Sequence, residues 1–547
     1  MRTPSTLYSG FLNQNAKAPV YLVTFEGIPT RYATGPVLAP LGATALFMRA
    51  PSGAGQQITP DEGRSSISSL NFDLLDKDGL ITRLLFLYQM ANRLVTVKMG
   101  FLEVPEESWA VVFVGRVLTY TLARDNTFYK FACTDLQRDI KEEVFSAFTS
   151  TTAPVGIADV TINVGNTAPF AAATAGQFYI RINNEVIAYT GKTPTTFTGC
   201  TRGQLGTVAA AYPATDIIVN NFIVLQGNPL TLALQLLTST GTGTNGPYDV
   251  LPASCGVGIP QAQVNVAIFE QERNRWTSGI TFRFEESQKQ NLKNFLQDQI
   301  YTFLPAYPVV DNVGRLSVKI AAPPLATDIG SKIQFTDDNI TERPAFVGNV
   351  LDHYFFNELD LNYDFNFLTN DFDSRELFES PSSQALFGTT KTRTMESRGI
   401  RSSLMTAQRI NNFGIRFLKR YAIPAPLLSA KGLLATRLIE VGDVIPLTSS
   451  KLPNLKTGTI GVIAQLVEVI SAAPNYGEGS VQFELLNTPY SYGRRYAAIS
   501  PSAKAPVFFP NYLGATPTQR NYSFISKKTG PQSGMMSNGD DGYYITP

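Results

Sequence analysis

A chain of 547 residues is too long for one hydrophobic core, so three or four domains are expected. Lys and Arg number 45 against 44 Asp and Glu, and a net charge of +1 excludes the basic footprint of a nucleic-acid-binding protein. Charged residues make up only 16%, while Gly (42), Pro (34), Phe (35) and Tyr (23) are plentiful, a profile that suits β-rich architecture with broad subunit contacts.

The first 20 residues read as an arm with a single Arg and no long apolar run, so no signal peptide is expected. No stretch reaches the roughly 20 apolar residues of a membrane helix. Val20 to Phe25 is the first strand, Ala45 to Met48 a candidate second, and Leu70 to Leu74 alternates as a half-buried strand. Asp73, Asp76 and Asp78 before Gly79 invite a calcium-loop reading, but Leu85 stands where that loop needs a glutamate, and a plain turn is the simpler reading. A short helix follows over 79–88, then a strand through Val95, Val97 and Met99. The stretch from Val112 to Asp135 is a β-hairpin, with Asp125-Asn126 at its turn and Gly115 in its first arm. Leu136 to Phe145 reads as a connecting helix.

A change to small and hydroxyl residues at 146–153 marks a boundary. Over 154–222, alternating Val160, Ile162, Val164 and Phe178, Ile180, Ile182 give strands, with an Asn183-Asn184 turn. The run from Phe197 to Thr207 holds three glycines, but the Lys-Ser/Thr of a phosphate loop is missing, so it reads as a Gly-bent turn. Tyr179, Tyr189 and Phe197 could stack on sugars or fill the core. Pro229 opens a helix, Ile280, Phe282 and Phe284 alternate, and a helix is expected over 287–303. The adjacent pairs Glu142-Glu143 and Glu285-Glu286 point in different directions and read as solvated rather than as acid/base pairs. Leu359 to Phe367 is a strand with Asp360, Asn362, Asp364 and Asn366 on one face, 369–400 reads as irregular, and a helix spans 403–421. From Thr459 to Asn487 the hairpin returns, again with a glycine, Gly461, in its first arm. Cys133, Cys200 and Cys255 lack the close spacing of a zinc site and are expected as buried thiols, a long-range disulfide staying open. His353 is the single histidine.

The Phe113-Val114-Gly115-Arg116-Val117 hairpin, its echo at Thr459 to Leu485, and the segment Asn184-Glu185-Val186-Ile187-Ala188-Tyr189 … Gly199-Cys200-Thr201-Arg202-Gly203-Gln204-Leu205-Gly206-Thr207 together resemble the central tail hub and baseplate hub proteins of tailed bacteriophages. The resemblance spans most of 1–490. It implies a mainly β, multi-domain fold with α+β parts, in which two related small β-barrels flank a β insertion and an α+β domain. The expected divisions are 1–150, a first barrel domain with its arm; 151–225, the insertion; 226–322, α+β; 323–490, a second barrel domain; and 491–547, an extended tail.

The same resemblance implies a non-enzymatic homotrimer in the virion, assembled in the host cytoplasm. It would contact the distal tube ring, the tape-measure protein and fibre or tip proteins. No cofactor or metal is implied. A receptor-binding protein with a carbohydrate-binding insertion is the alternative, and a wall-hydrolysing enzyme a more distant one. The Pro-rich tail cannot fold alone, so its aromatics Phe508, Phe509, Tyr512, Tyr522, Phe524, Tyr543 and Tyr544 are expected to anchor it on neighbours.

Overall fold

The computed structural model describes residues 18–487, apart from 60, 125, 173–177, 312, 322–332, 343, 348–353 and 455–458. Beyond 487 it describes only the backbones of Ala497–Ala498, Ser526–Lys527 and Tyr544–Ile545. The chain is mainly β and multi-sheet, as expected. It divides into two compact units, one of Met1–Arg138, Ala306–Phe355 and Ile423–Arg495, the other of Asp139–Pro305, Phe356–Ala422 and Tyr496–Pro547.

The first unit is built from two sheets. β1 (Val20–Phe25), β2 (Ser52–Gly53), β3 (Gln56–Thr59) and β4 (Ser69–Leu75) lead to helix α1 (Leu80–Leu87). β5 (Leu94–Gly100), β6 (Ala110–Leu122) and β7 (Phe128–Asp135) follow. The spatial order is β1-β5-β6-β7-β4-β2, with two short strands outside β1. Alternation explains the burial: Leu70, Phe72 and Leu74 face the core while Ser69 and Asn71 face out. Phe72 stacks on Phe131 with centroids 5.3 Å apart, and Phe25 meets the same ring at 5.6 Å.

The second sheet uses β8 (Phe335–Thr336), β9 (Ala345–Val347), β10 (Leu427–Leu433), β11 (Val444–Asn454), β12 (Thr459–Asn475) and β13 (Ser480–Leu486). Its order is β8-β11-β12-β13-β10-β9. The two orders are the same topology written twice. In each, the first of four strands pairs with the fourth, the third and then the second continue the sheet beyond the fourth, and a further strand flanks each side. The outer strand differs in sense: β1 runs antiparallel to β5, while β8 runs parallel to β11. The first and second strands of each four-strand repeat are joined by Leu80-Ile81-Thr82-Arg83-Leu84 in one copy and Leu434-Ala435-Thr436-Arg437-Leu438 in the other. A left-handed residue then stands two positions before the next strand, Asn92 (φ 63) or Gly442 (φ 77). The hairpin echo is therefore a real repeat, although its glycines do not correspond. Gly115 pairs with Asp135 at the end of β7, whereas Glu468 holds that place on β12, paired with Leu486. A side chain at Gly115 would meet the Thr134 carbonyl at 2.1 Å, while Gly461 has open space around it. Neither sheet closes into a barrel among the described residues; both are open paths, and the expected barrels are corrected to that. The two sheets share one hydrophobic core, which runs from Val20 through Phe131 to Phe335 and Phe483. β2 and β3 bridge them, since Ser52 pairs with Asn71 on β4 and Gln57 with Ser471 on β12.

The second unit holds a six-stranded sheet around the long strand Ile218–Gly227, which pairs with Phe148–Ser150, Phe178–Ile182 and Phe282–Glu286. Asn183 takes φ 51 in the expected tight turn between Phe178–Ile182 and Glu185–Ala188. Helix α2 (Pro229–Thr238) begins as the sequence requires, with Pro at its first position and Asn228 accepting from the Leu230 amide. α3 (Val266–Trp276) buries only Phe269 of its helical residues, which is why no apolar stripe announced it. α4 (Ala407–Tyr421) starts from the Thr406 cap and buries Ile410, Phe413, Phe417 and Tyr421.

Three expected segments differ. Leu136–Lys141 is a 3₁₀ turn, and Glu143–Val144 pairs as a strand with Gln290–Asn291 rather than continuing a helix. The helix expected over 287–303 is a four-residue α turn, Leu292–Phe295, that widens into a π-helix at Leu296–Tyr301. Residues 369–400 are ordered: Asp371–Glu379 pairs with Glu358–Asn366, and Thr392–Glu396 lies parallel on the other side. The polar residues of Glu358–Asn366 find partners there, Asp360 on Arg375 at 2.7 Å and Asp364 on the Ser374 hydroxyl at 2.7 Å.

Candidate functional site

The Asn184 to Thr207 segment is organised by one buried carboxylate. Glu185 accepts from Arg202 Nε at 2.8 Å and Nη2 at 2.6 Å, from the amides of Gly203 and Ala210, and from the Tyr212 hydroxyl at 3.0 Å. Arg202 also donates to the carbonyls of Gly156 and Ala210. Burial acts to raise the Glu185 pKa, but these donors outweigh it and the net direction is down. Gly199, Gly203 and Gly206 all take positive φ, so the glycines bend the loop around an ion pair. The arrangement pins loops to one another around the Glu185–Arg202 pair.

Tyr179, Tyr189 and Phe197 are all buried. Tyr189 packs on Phe197 at 4.9 Å and donates its hydroxyl to the Ala171 carbonyl, so these rings form core and present no stacking face for a sugar. A cleft of about 820 Å³ opens in the same unit between residues 168–172 and the 240–254 loop. Its charged groups are already engaged. Lys192 Nζ binds the carbonyls of Thr167 and Phe170, and Asp249 binds Thr240 and the Gly241 and Asn245 amides. Those hydrogen bonds overcome burial and hold Asp249 down at about 2.

Glu285 and Glu286 are not solvated, which corrects the sequence reading. Glu286 is 1% exposed and lies 3.2 Å from Arg398, while Glu285 engages Arg283 and Arg401. Burial pushes Glu286 up to about 7, against the pull of Arg398. Strand pairing of Phe282–Glu286 with Ile218–Gly227 carries Glu286 inward. Glu142 and Glu143 are exposed, Glu143 with Lys289 beside it.

Asp76 spends its oxygens on the Ile81 and Thr82 amides and the Thr82 hydroxyl in the first turn of α1, and Asp73 lies 3.8 Å from Arg49. No group of three metal-ligating side chains occurs among the described residues, and no helix among them is long and apolar enough to cross a membrane. Cys133, Cys200 and Cys255 are buried free thiols; burial pushes them up to about 12, 11 and 12.

Part of the exposed apolar surface of the first unit lies on helix α1, where Phe86 is 88% exposed, and part on strand ends. β5 stops pairing at Leu94, opposite Arg116, so Leu118, Tyr120 and Leu122 of β6 run on with an open edge and one exposed face. On β12, Ile460 and Ile463 (87% exposed) lie before the start of pairing with β13 at Glu468. Composition did not reveal these ends, because alternation looks the same on paired and unpaired stretches. Of the seven tail aromatics, Phe508, Phe509, Tyr512, Tyr522, Phe524 and Tyr543 lie outside the described residues, and only the backbone of Tyr544 is described, paired with Ala498.

No family model and no curated protein sequence matches this chain. Among solved structures, a 43 kDa tail protein of prophage MuSo2 from Shewanella oneidensis is 8% identical with a TM-score of 0.33, over 87% of this chain and 99% of that one. A tail protein from Neisseria meningitidis MC58 gives 9% and 0.35 over 87% and 99%. The prophage tail protein gp18 from Listeria monocytogenes EGD-e gives 10% and 0.36 over 85% and 94%. Values this low do not place the chain in a family with them.

Proposed function

We propose that this chain is a structural component of a tailed-phage virion, a homotrimeric hub at the distal end of the tail. The observation that carries the reading is the repeat within the first unit: one strand order twice, with the Leu-x-Thr-Arg-Leu connection in the same place. A tail tube is sixfold and tip structures are commonly threefold. Three chains with two similar domains each present six near-equivalent faces on one side and three on the other, so both symmetries are matched. The hub resemblance of the sequence supports the same reading. The open ends of β6 and β12 supply apolar contact surface for neighbouring copies, and the tail aromatics anchor on the same neighbours. The partners are then the tube ring, the tape-measure protein and fibre or tip proteins, and the role is scaffolding without catalysis.

The test is the number of copies per purified virion, by quantitative mass spectrometry against a capsid protein of known copy number. Three copies are expected. Six or more would remove the reason for the repeat, and none would sink the virion reading altogether.

A further inference from the structure

The two copies of the repeat match residue by residue at one strand edge and then part. Val117 on β6 donates to the Arg93 carbonyl and accepts from the Asn92 amide; Val469 on β12 does the same with Asp443 and Gly442. The register to the following strand then skips one residue in both copies, Leu118 between Val117 and Thr119, Ile470 between Val469 and Ser471. This shared bulge makes Leu118 the counterpart of Ile470, Thr119 of Ser471 and Tyr120 of Ala472. Beyond it, β13 holds one edge of β12 and β3 takes the other, with Gln57 opposite Ser471 and Gln56 opposite Ala472 in antiparallel register. Ile58 of β3 and Ile470 are buried in one small apolar cluster. On β6 only β7 pairs with this stretch among the described residues, and every residue from Leu118 to Leu122 is exposed. Leu118 is 51% exposed where Ile470 is 1%. An open edge lined by apolar side chains is a template for a further strand.

The repeat also identifies the strand that fits. β3 follows β2 after Ala54 and Gly55. β2 and β9 are counterparts, because Ser52 lies opposite Asn71 on β4 and Ala345 opposite Ser429 on β10. Asn71 and Ser429 each precede the residue opposite the central ring, Phe131 or Phe483. Carried forward in sequence, this register sets Asn349, Val350 and Leu351 against Gln56, Gln57 and Ile58, so an apolar residue stands at the covering position in both copies. Residues 348–353 lie outside the described part of the chain, and the match is one of sequence position. Leu118 stays exposed in the single chain, so its cover comes from another one.

We propose that the β6 edge is a strand-addition site for a second copy of this chain. The second copy's Asn349-Val350-Leu351 pairs antiparallel with Leu118-Thr119-Tyr120, Val350 opposite Thr119, and Leu351 covers Leu118. Each chain then has two such contacts to fill. β3 fills the one on β12 from within, and the one on β6 passes to the next copy, a head-to-tail contact that closes into a ring. The proposal rests on the homotrimer reading only for the presence of several copies and does not need the virion.

The experiment uses two variants of the full chain, Thr119→Cys and Val350→Cys, purified apart, mixed under mild oxidation and run on a non-reducing gel. Opposed residues of antiparallel strands lie within disulfide reach, about 4.5–5.5 Å between Cα atoms. The native thiols of Cys133, Cys200 and Cys255 are buried and pushed up to about 12, 11 and 12, which keeps them out of the reaction. A covalent dimer is expected from the mixture and from neither variant alone. In sedimentation of the uncross-linked protein, Leu118→Lys should weaken self-association by about tenfold or more, with the fold kept because the residue is exposed in the single chain. A wild type that stays monomeric at every concentration would overturn the proposal, as would a Leu118→Lys that associates like the wild type. So would a Thr119→Cys, Val350→Cys double variant that cross-links only within its own chain while the mixture gives no dimer. Three copies per virion without the cross-link would sink this contact alone, and the cross-link with a different copy number would uphold the contact and sink the trimer.

Discussion

Arg83 and Arg437 occupy one position in two copies of one topology, and water reaches only the first. The difference follows from the connection's length. The first copy carries four more residues between the motif and its next strand, about one α-helical turn, and forms α1. The second has a tight 3₁₀ turn in which residues three apart eclipse, which puts Arg437 on the same side as the buried Leu434. The cores differ in parallel. Phe131 and Phe483 are central on the equivalent strands β7 and β13, each met by an outer-strand ring, Phe25 at 5.6 Å and Phe335 at 5.4 Å. The first copy adds Phe72 opposite Phe131, where the second has Ala430 opposite Phe483. A shared topology fixes which strands pair. It leaves open which layer supplies the volume and which charges go inside.

The sharpest way to break the comparison is to cut each core at its common ring. Phe131→Ala and Phe483→Ala should each cost about 3–5 kcal/mol in chemical denaturation. Because the two sheets share one core, both variants should shift a single transition of the first unit. Two separate transitions, each sensitive to only one variant, would show that the copies fold independently.

Next in size is the paired arginine of the first copy. Glu106→Gln leaves Arg31 buried without its carboxylate and should destabilise by about 3–5 kcal/mol. Burial raises the Glu106 pKa, but the Leu41 amide, Arg31 and Lys98 outweigh it, so the folded value lies below the ordinary one. The stabilisation is thus complete above the ordinary carboxylate range and is lost as pH falls through the folded value. Glu286 in the second unit has the opposite sign. Its folded pKa is raised from 4.5 to about 7, so its contribution is largest below 4.5 and falls as pH rises to about 7. Glu286→Gln should flatten the stability profile between those values, whereas an unchanged slope in acid and base titrations of unfolding would show that Glu286 does not titrate there.

A smaller effect separates the second copy from the first in acid. The hydroxyls of Ser449 and Ser450 and the Ser450 amide hold Asp337 down at about 2. Its contribution is present at neutral pH and lost as pH falls from the ordinary value of 3.8 toward 2. Asp337 is partly exposed and its partners are neutral, so Asp337→Asn should cost about 0.5–1.5 kcal/mol at pH 7. A cost that stays constant down to pH 2 would assign it to packing.

Much of this fold was legible because alternation and turn chemistry are local. Leu70 to Leu74, Phe178 to Ile182 and Leu359 to Phe365 declare strands on their own, and Asn183-Asn184 declares its turn. What failed was decided at a distance. Glu286 looks like half of a solvated pair until its strand is placed against Ile218–Gly227. Val144 looks helical until Gln290 pairs with it. The hairpin echo was readable, but its glycines suggested the wrong alignment. The motif that fixes the repeat, Leu-x-Thr-Arg-Leu, is too short to stand out before topology puts both copies in one place. Of the candidate residues, the segment around Glu185 and Arg202 was visible as a pattern, while its chemistry, a buried ion pair, was not.

The smallest prediction tests whether position in the repeat or environment governs the motif arginine. Arg83→Ala removes a solvated side chain on an outer helix face and should change stability by less than about 0.5 kcal/mol. The neighbouring Thr82, whose amide and hydroxyl both bind Asp76, should matter more; Thr82→Ala removes the hydroxyl bond at 2.6 Å and should cost about 1 kcal/mol. In the second copy the threonine donates to the Leu433 carbonyl, and among the described residues no side chain caps the turn. If Arg83→Ala instead destabilises as strongly as Thr82→Ala, the arginine has a structural role common to both copies, and the burial of Arg437 would then be one expression of that role rather than a departure from it.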